Sequence, residues 1–318
     1  VAKPLLAEAD GIYAKVAAFL GAPDTPTRIV VDLASPVVTH AAGATNWTKI
    51  RIPVTNESEF SELQLILGHE TTHVFIEQLS DGRATAHFNE ARFLHEGLAT
   101  HVELTLFGTD DGRAKNRREI AGAWSRGRVA LEDLANDTAL SRKREPNLAY
   151  PLGSVFARML METQGHEAAI RLLRAMARKN APIGLKGAAY WRDTMQAAGL
   201  NYDRVAAAYD AACAAAMTEE KEFVDSLPRL TATVRVVNGE VVVQPKFKGK
   251  APGKVVCVTE TDDPVVSEMV PLHRQTDGSF TWSVAETSKP VFRYMLGWRT
   301  DQTRLPVFEP WAEPVPIK

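Results

Sequence analysis

Two histidines and a glutamate stand together in His69-Glu70-Thr71-Thr72-His73. Histidines four apart on a helix share one face and sit about 6 Å apart along its axis, close enough to grip one metal ion. Glu70 projects from nearby and can reach a water held by that metal. Zinc hydrolases combine two ligands and a general base in this H-E-x-x-H pattern. A chain with so few histidines would show it by chance on the order of once in a hundred. The pattern therefore needs a helical setting and a third ligand.

The setting is present. Residues 58–79 read as a helix that is apolar around most of its circumference, through Phe60, Leu63, Leu65, Ile66, Leu67, Val74, Phe75, Ile76 and Leu79. Such a helix is buried on nearly all sides. Polar His69, Glu70 and His73 in its middle then demand partners, which a metal would supply. Asn56 followed by Glu59 has the form of a capping box, and Ser80-Asp81-Gly82 stops the helix.

A catalytic zinc takes three protein ligands and leaves one position open. A third histidine shortly after the motif is excluded, because Ile76 and Leu79 occupy the relevant positions. Glu96 follows His73 after 22 intervening residues, just before an apolar-patterned helix that runs to Gly108. The rival donors are His95, His101, Glu90 and Asp110, and a carboxylate that merely starts a helix is the plain alternative for Glu96.

The run Leu94-His95-Glu96-Gly97-Leu98-Ala99 closely resembles the third-ligand motif of the gluzincins, the thermolysin and aminopeptidase-N-like zinc metallopeptidases. The resemblance covers roughly residues 1–226. It implies that His69, His73 and Glu96 hold one Zn2+ and that Glu70 is the general base. Asn147-Leu148-Ala149-Tyr150-Pro151-Leu152-Gly153-Ser154 resembles the tyrosine-bearing helix start of aminopeptidase-N-like members. Tyr150 is thereby the candidate oxyanion donor, with a buried structural tyrosine as the alternative.

Two departures from the family pattern matter. Relatives place a sheet edge above the zinc where Gly43 and Ala44 stand, and such an edge binds an extended peptide by strand addition. Aminopeptidases carry a glutamate there, in G-x-M-E-N, to anchor the substrate amino terminus. Gly43-Ala44-Thr45-Asn46-Trp47 has no acid, which favours internal cleavage. Thermolysin-type enzymes also place an aspartate four residues after the third ligand to steady a zinc-bound histidine. That position is Thr100 in this chain, and Glu103, one further turn on the same face, or a backbone carbonyl is the candidate replacement.

The elements that must position these residues follow from periodicity and turn signals. A helix is expected over 4–20, strands over 28–33 and 48–54, and further helices from near Asn147, over 166–179, 188–198 and 202–226. His166, at one of these helix starts, reads as a surface residue. After Leu227-Pro228 the texture changes to short β-rich runs at 231–237, 240–243, 254–258, 280–284 and 291–298. The fold class is therefore α+β, a small mixed sheet plus a helical zinc-peptidase domain followed by an all-β sandwich. The expected domains are 1–227, with an α/β part over 1–110 and a helical part over 111–227, and 228–318, an immunoglobulin or fibronectin-III-like sandwich. The Pro-rich end from Pro306 is expected to lie extended over the surface.

Composition narrows the function. A formal net charge of -2 with dispersed Lys and Arg gives no footprint for nucleic acid. The run Arg142-Lys143-Arg144 reads as a solvated loop, and no apolar stretch approaches the ~20 residues that span a bilayer. Cys213 and Cys257 lack metal-ligand spacing and read as free thiols, although a bridge between them stays open. Val1 without a methionine fits a processed chain, so a secreted or periplasmic location is expected. The expected activity is zinc-dependent cleavage of peptide or protein substrates, with a protein or glycan ligand for the β-sandwich. The alternatives are a catalytically inactive zinc-fold binding or scaffold protein and a zinc hydrolase for a non-peptide bond.

Overall fold

A computed structural model of the chain describes residues 2–22, 28–34, 43–46, 48–55, 58–179, 184–238, 240–249, 254–260, 267–270, 273–274, 280–283 and 291–316. In chain order the first elements are α1 (Ala2–Leu20), β1 (Val30–Ala34), β2 (Ala44–Asn46), β3 (Lys49–Pro53), α2 (Phe60–Ser80), α3 (Arg83–Ala86) and α4 (Phe88–Leu106). Then come α5 (Asp110–Ser125), α6 (Leu131–Leu134), α7 (Asp137–Lys143), a 3₁₀ turn (Pro146–Leu148), α8 (Ala149–Gln164), α9 (Ala168–Met176), α10 (Gly187–Ala197), α11 (Tyr202–Glu219) and α12 (Lys221–Ser226). The strands that follow are β4 (Arg229–Val237), β5 (Glu240–Lys248), β6 (Lys254–Glu260), β7 (Ser267–Val270), β8 (His273–Arg274) and β9 (Phe280–Ser283). The last are β10 (Val291–Phe292), β11 (Tyr294–Arg299), β12 (Val307–Phe308) and β13 (Val315–Pro316). Helices thus mix with small sheets, and no barrel forms among the described residues. Nor is any described helix long and apolar enough to cross a membrane.

Packing divides the chain into two compact units. One comprises Val1–Arg113, Ala130–Asn136 and Ala149–Ala212, the other Ala114–Val129, Asp137–Leu148 and Cys213–Lys318.

In the first unit β3 is central to a three-stranded sheet, with β1 parallel on one side and β2 antiparallel on the other. Ile50 and Ile52 of β3 are buried while Lys49 and Arg51 are exposed, the alternation of a strand with one covered face. Leu5 and Ile12 of α1 and Leu63, Leu67 and Val74 of α2 join those isoleucines in one core. Because β2 is an edge strand, Ala44–Asn46 keeps one side free of sheet pairing among the described residues.

Helix α2 starts after Glu59, which makes no side-chain capping bond; Asn56, the expected cap, lies outside the described residues. It ends at Asp81 and Gly82, both left-handed at φ 51 and 71, and the turn leads at once into α3. Helix α4 differs from expectation. It begins at Phe88, so Glu96 lies two turns inside a helix instead of ahead of one. Gly97 does not open the helix; it permits contact with α8. A Cβ on Gly97 would lie 2.1 Å from the Gly153 carbonyl carbon, and one on Gly153 would lie 2.1 Å from the Phe93 oxygen. Only glycine at both positions lets the two backbones approach so closely.

The second unit holds two four-stranded sheets, in the orders β4-β5-β9-β8 and β12-β11-β6-β7. Leu230, Val241 and Val243 of the first and Cys257, Tyr294, Leu296 and Trp298 of the second share a core with Phe292. Strand β5 runs on to Lys248 through Pro245, further than the β-rich run suggested. Pro245 is tolerated because β9 pairs only with Glu240–Val243, leaving the proline on a free flank among the described residues. Cys213 and Cys257 are both buried, and neither forms a disulfide.

Three expectations change here. The single helix over 202–226 is broken at Glu220 (φ -100, ψ 30) into α11 and α12. Arg144 is not solvated: it is 5% exposed and donates to the carbonyls of Gly127 and Ala123, both at 2.8 Å. The Pro-rich end starts in the core instead of on the surface, and later residues such as Pro310, Glu313 and Pro314 are exposed. Val307 and Phe308 are buried in β12 against β11, and Trp311 Nε1 donates to the Ser141 carbonyl at 2.8 Å.

Candidate metal centre

Helix α2 turns His69 and His73 to one side, and α4 brings Glu96 to meet them. Both imidazole Nε2 atoms lie 3.4 Å from the same oxygen, Glu96 Oε2. These three side chains offer ligand atoms that all fall within 4.8 Å of one another, and no other group of this kind occurs among the described residues. A spacing of 3.4 Å is long for a hydrogen bond between charged partners. It matches the edge, roughly 3.3 Å, of a tetrahedron with bonds of about 2.0–2.1 Å. Two imidazoles and a carboxylate, largely buried, are the His₂Glu donor set of catalytic zinc. The residues fit that ion.

The far nitrogens of the two histidines are held differently. His69 Nδ1 lies 2.6 Å from Glu103 Oε2, an arrangement that would leave Nε2 for a metal ion. Glu103, seven residues after Glu96, is on the same face of α4; since His69 meets Glu103 while Glu77 meets His95, α2 and α4 run antiparallel. Thr100 is buried, and its hydroxyl finds no hydrogen-bond partner in the structure, so it steadies neither histidine. His73 Nδ1 is buried without a partner.

Burial dominates the electrostatics and is answered unevenly. For His69 it disfavours the cation, but Glu103 and then Glu96 outweigh it and lift the pKa to about 10. His73 has less compensation, and burial aided by His95 drives it down to about 3. Burial also opposes ionisation of Glu96, yet the three surrounding imidazoles hold its carboxyl well below the usual range. In the metal-free chain the cluster thus carries an anionic Glu96, a neutral His73 and a proton on His69 that a metal would displace.

Glu70 is 6% exposed, and its carboxyl is raised above the ordinary value by burial, against the pull of His69 and Thr45. Strand β2 lies directly upon it. Thr45 Oγ1 donates to Glu70 Oε2 at 2.5 Å and lies 3.1 Å from the Glu70 carbonyl. A Cβ on Gly43 would come 2.5 Å from Glu70 Oε1. Ala44 stands opposite Arg51 of β3 and is exposed at the edge. The sheet edge expected near the metal ligands therefore meets the candidate base itself.

Tyr150 is the second residue of α8, and the Gly97–Gly153 contact carries it to the site. Its ring stacks beside His69, with centroids 6.2 Å apart and planes at 18°. Burial first, then the Glu96 charge, raises the phenol pKa, so the hydroxyl remains a donor at neutral pH. Arg92, one turn before Glu96, places its guanidinium 5.9 Å from the Tyr150 ring centroid.

The rival donors do other work. His95 Nε2 meets Glu77, His101 sits edge-on to Phe19, Glu90 accepts from Asn89, and Asp110 pairs with Arg113 at 2.7 Å. His166 is exposed, as expected, and its Nε2 reaches the Phe19 carbonyl. Sequence reasoning missed Thr45, Glu77 and Arg92 as neighbours of the cluster. Glu77 had a signal, being two turns past His69 on the same face of α2. Thr45 and Arg92 had none beyond proximity to the motifs.

No protein-family model matches the chain, and comparison with curated proteins found no match.

Proposed function

We propose that the chain is a zinc-dependent peptidase of gluzincin type that cleaves within peptide chains, with the strands after residue 228 forming a β-sandwich that binds a protein or glycan. The observation that carries the reading is the convergence of His69, His73 and Glu96, with Glu70 and Tyr150 beside them. The two sheets with a shared core support the sandwich.

Zinc held by His69, His73 and Glu96 would acidify a water and polarise the scissile carbonyl. Glu70 accepts the proton as the water oxygen bonds to the carbonyl carbon. Its burial raises its pKa, which makes it a stronger base than an exposed carboxylate. The Tyr150 hydroxyl donates to the carbonyl oxygen as negative charge develops there. Glu70 then passes its proton to the leaving nitrogen, the carbon–nitrogen bond breaks, and a carboxylic acid and an amine result. The β2 edge at Gly43 and Ala44 would take the substrate as an added strand, and the absence of an acid in 43–46 favours internal cleavage over removal of the amino-terminal residue.

The test joins metal analysis to a peptide-library cleavage profile. Expected are one zinc per chain, hydrolysis that a chelator abolishes, and a Glu70→Gln protein that keeps zinc but does not cleave. Protein without stoichiometric zinc, or zinc-loaded protein inert toward every peptide, sinks the proposal.

A further inference from the structure

One buried histidine–carboxylate pair beside the candidate metal ligands has no part in that mechanism. His95 is 9% exposed and Glu77 5%, and His95 Nε2 lies 3.1 Å from Glu77 Oε1. The same Glu77 oxygen accepts from Thr85 Oγ1 of α3 at 2.7 Å. Groups on α2, α3 and α4 therefore fix the plane of the His95 ring. That plane lies against His73: the centroids are 4.1 Å apart and the planes 15° from parallel. His69 meets the His73 ring edge-on, at 4.7 Å and 85°.

A metal-binding imidazole needs its ring orientation set, and the common device is a hydrogen bond at the nitrogen facing away from the metal. His69 has one, from Glu103. His73 Nδ1 has none. We infer that His95, anchored by Glu77 and Thr85, is the positioning residue for His73, holding it by ring stacking where its partner ligand is held by a hydrogen bond. Packing can do this because a flat ring pressed between two others loses rotation about χ2, the torsion that aims Nε2. The inference rests on the metal-centre reading above.

Two substitutions separate the ring from its polar tie. His95→Asn keeps a hydrogen-bonding group for Glu77 and removes the ring; His95→Phe keeps the ring and removes the bond. The zinc dissociation constant is measured by competition with a chromophoric chelator, and the cobalt(II)-substituted proteins are compared by visible absorption. His95→Asn should bind zinc about ten- to a hundredfold more weakly with a displaced cobalt spectrum, whereas His95→Phe stays within about threefold of the parent. Thermal unfolding of the metal-free proteins shows whether either change acts through the fold alone. Zinc affinity and a cobalt spectrum in His95→Asn equal to the parent's overturn the inference, as does equal weakening in both variants. If the parent itself binds no zinc, the metal-centre reading fails; if it binds zinc and His95→Asn matches it, only the role of His95 fails.

Discussion

Gly97 and Gly153 meet backbone to backbone, and that contact sets the distance between Glu96 and Tyr150. Each glycine faces main-chain atoms of the other's helix, which cannot swing aside as a side chain could. Gly97→Ala or Gly153→Ala should therefore destabilise the fold by at least the ~1–3 kcal/mol typical of overpacking. The loss is read from urea unfolding. Either alanine accommodated without cost would mean that α4 and α8 can part freely.

Glu103 and Thr100 should respond oppositely to removal. Glu103→Ala strips His69 of its carboxylate partner at Nδ1 and should weaken zinc binding by about ten- to a hundredfold. Thr100→Ala deletes a buried hydroxyl that makes no bond and should leave zinc affinity unchanged. Chelator competition on both proteins checks the contrast.

Thr45 couples the sheet edge to Glu70. Thr45→Val keeps the shape and loses the donor, so turnover of a peptide substrate should fall by about tenfold, as for other charge-assisted bonds at a reacting group. Thr45→Ser should retain most of it. Steady-state rates for the two variants and the parent, with zinc content measured alongside, decide whether the hydroxyl or the methyl group matters.

His101 predicts an acid limb in stability. Burial first, then Arg158 and His166, lowers its pKa to about 4 from the ordinary 6.5. A group depressed on folding binds its proton more readily in the unfolded chain. Its contribution is present above about pH 6.5 and is lost as pH falls toward 4. His101→Leu should flatten the urea midpoint across that window relative to the parent; an unchanged slope would show that His101 titrates normally.

The convergence of His69, His73 and Glu96 was legible because they sit on two helices with strong local signatures. His69 and His73 are bound to one face by helix geometry, and Glu96 carries its own short motif. The helix boundary at Phe88 was not legible, because Glu96-Gly97 reads locally as an opening while α8 makes the glycine necessary inside the helix. Thr45 against Glu70 joins residues 25 apart through a strand edge and a helix, a relation that periodicity does not encode. Arg144 misled for the same reason: three consecutive basic residues look solvated, and only tertiary folding offers its guanidinium two buried carbonyls.

The antiparallel packing of α2 on α4 also bears on how the chain would acquire a metal ion. His69 and Glu103 are only 34 positions apart, with both other ligands between them. Closing so short a stretch costs little chain entropy, and contacts between near neighbours form early. The helical pair from Phe60 to Leu106 is thus suited to capture an ion while later parts of the chain are still finding their places. Metal present during refolding should then speed the formation of this pair ahead of the strands that begin at Arg229.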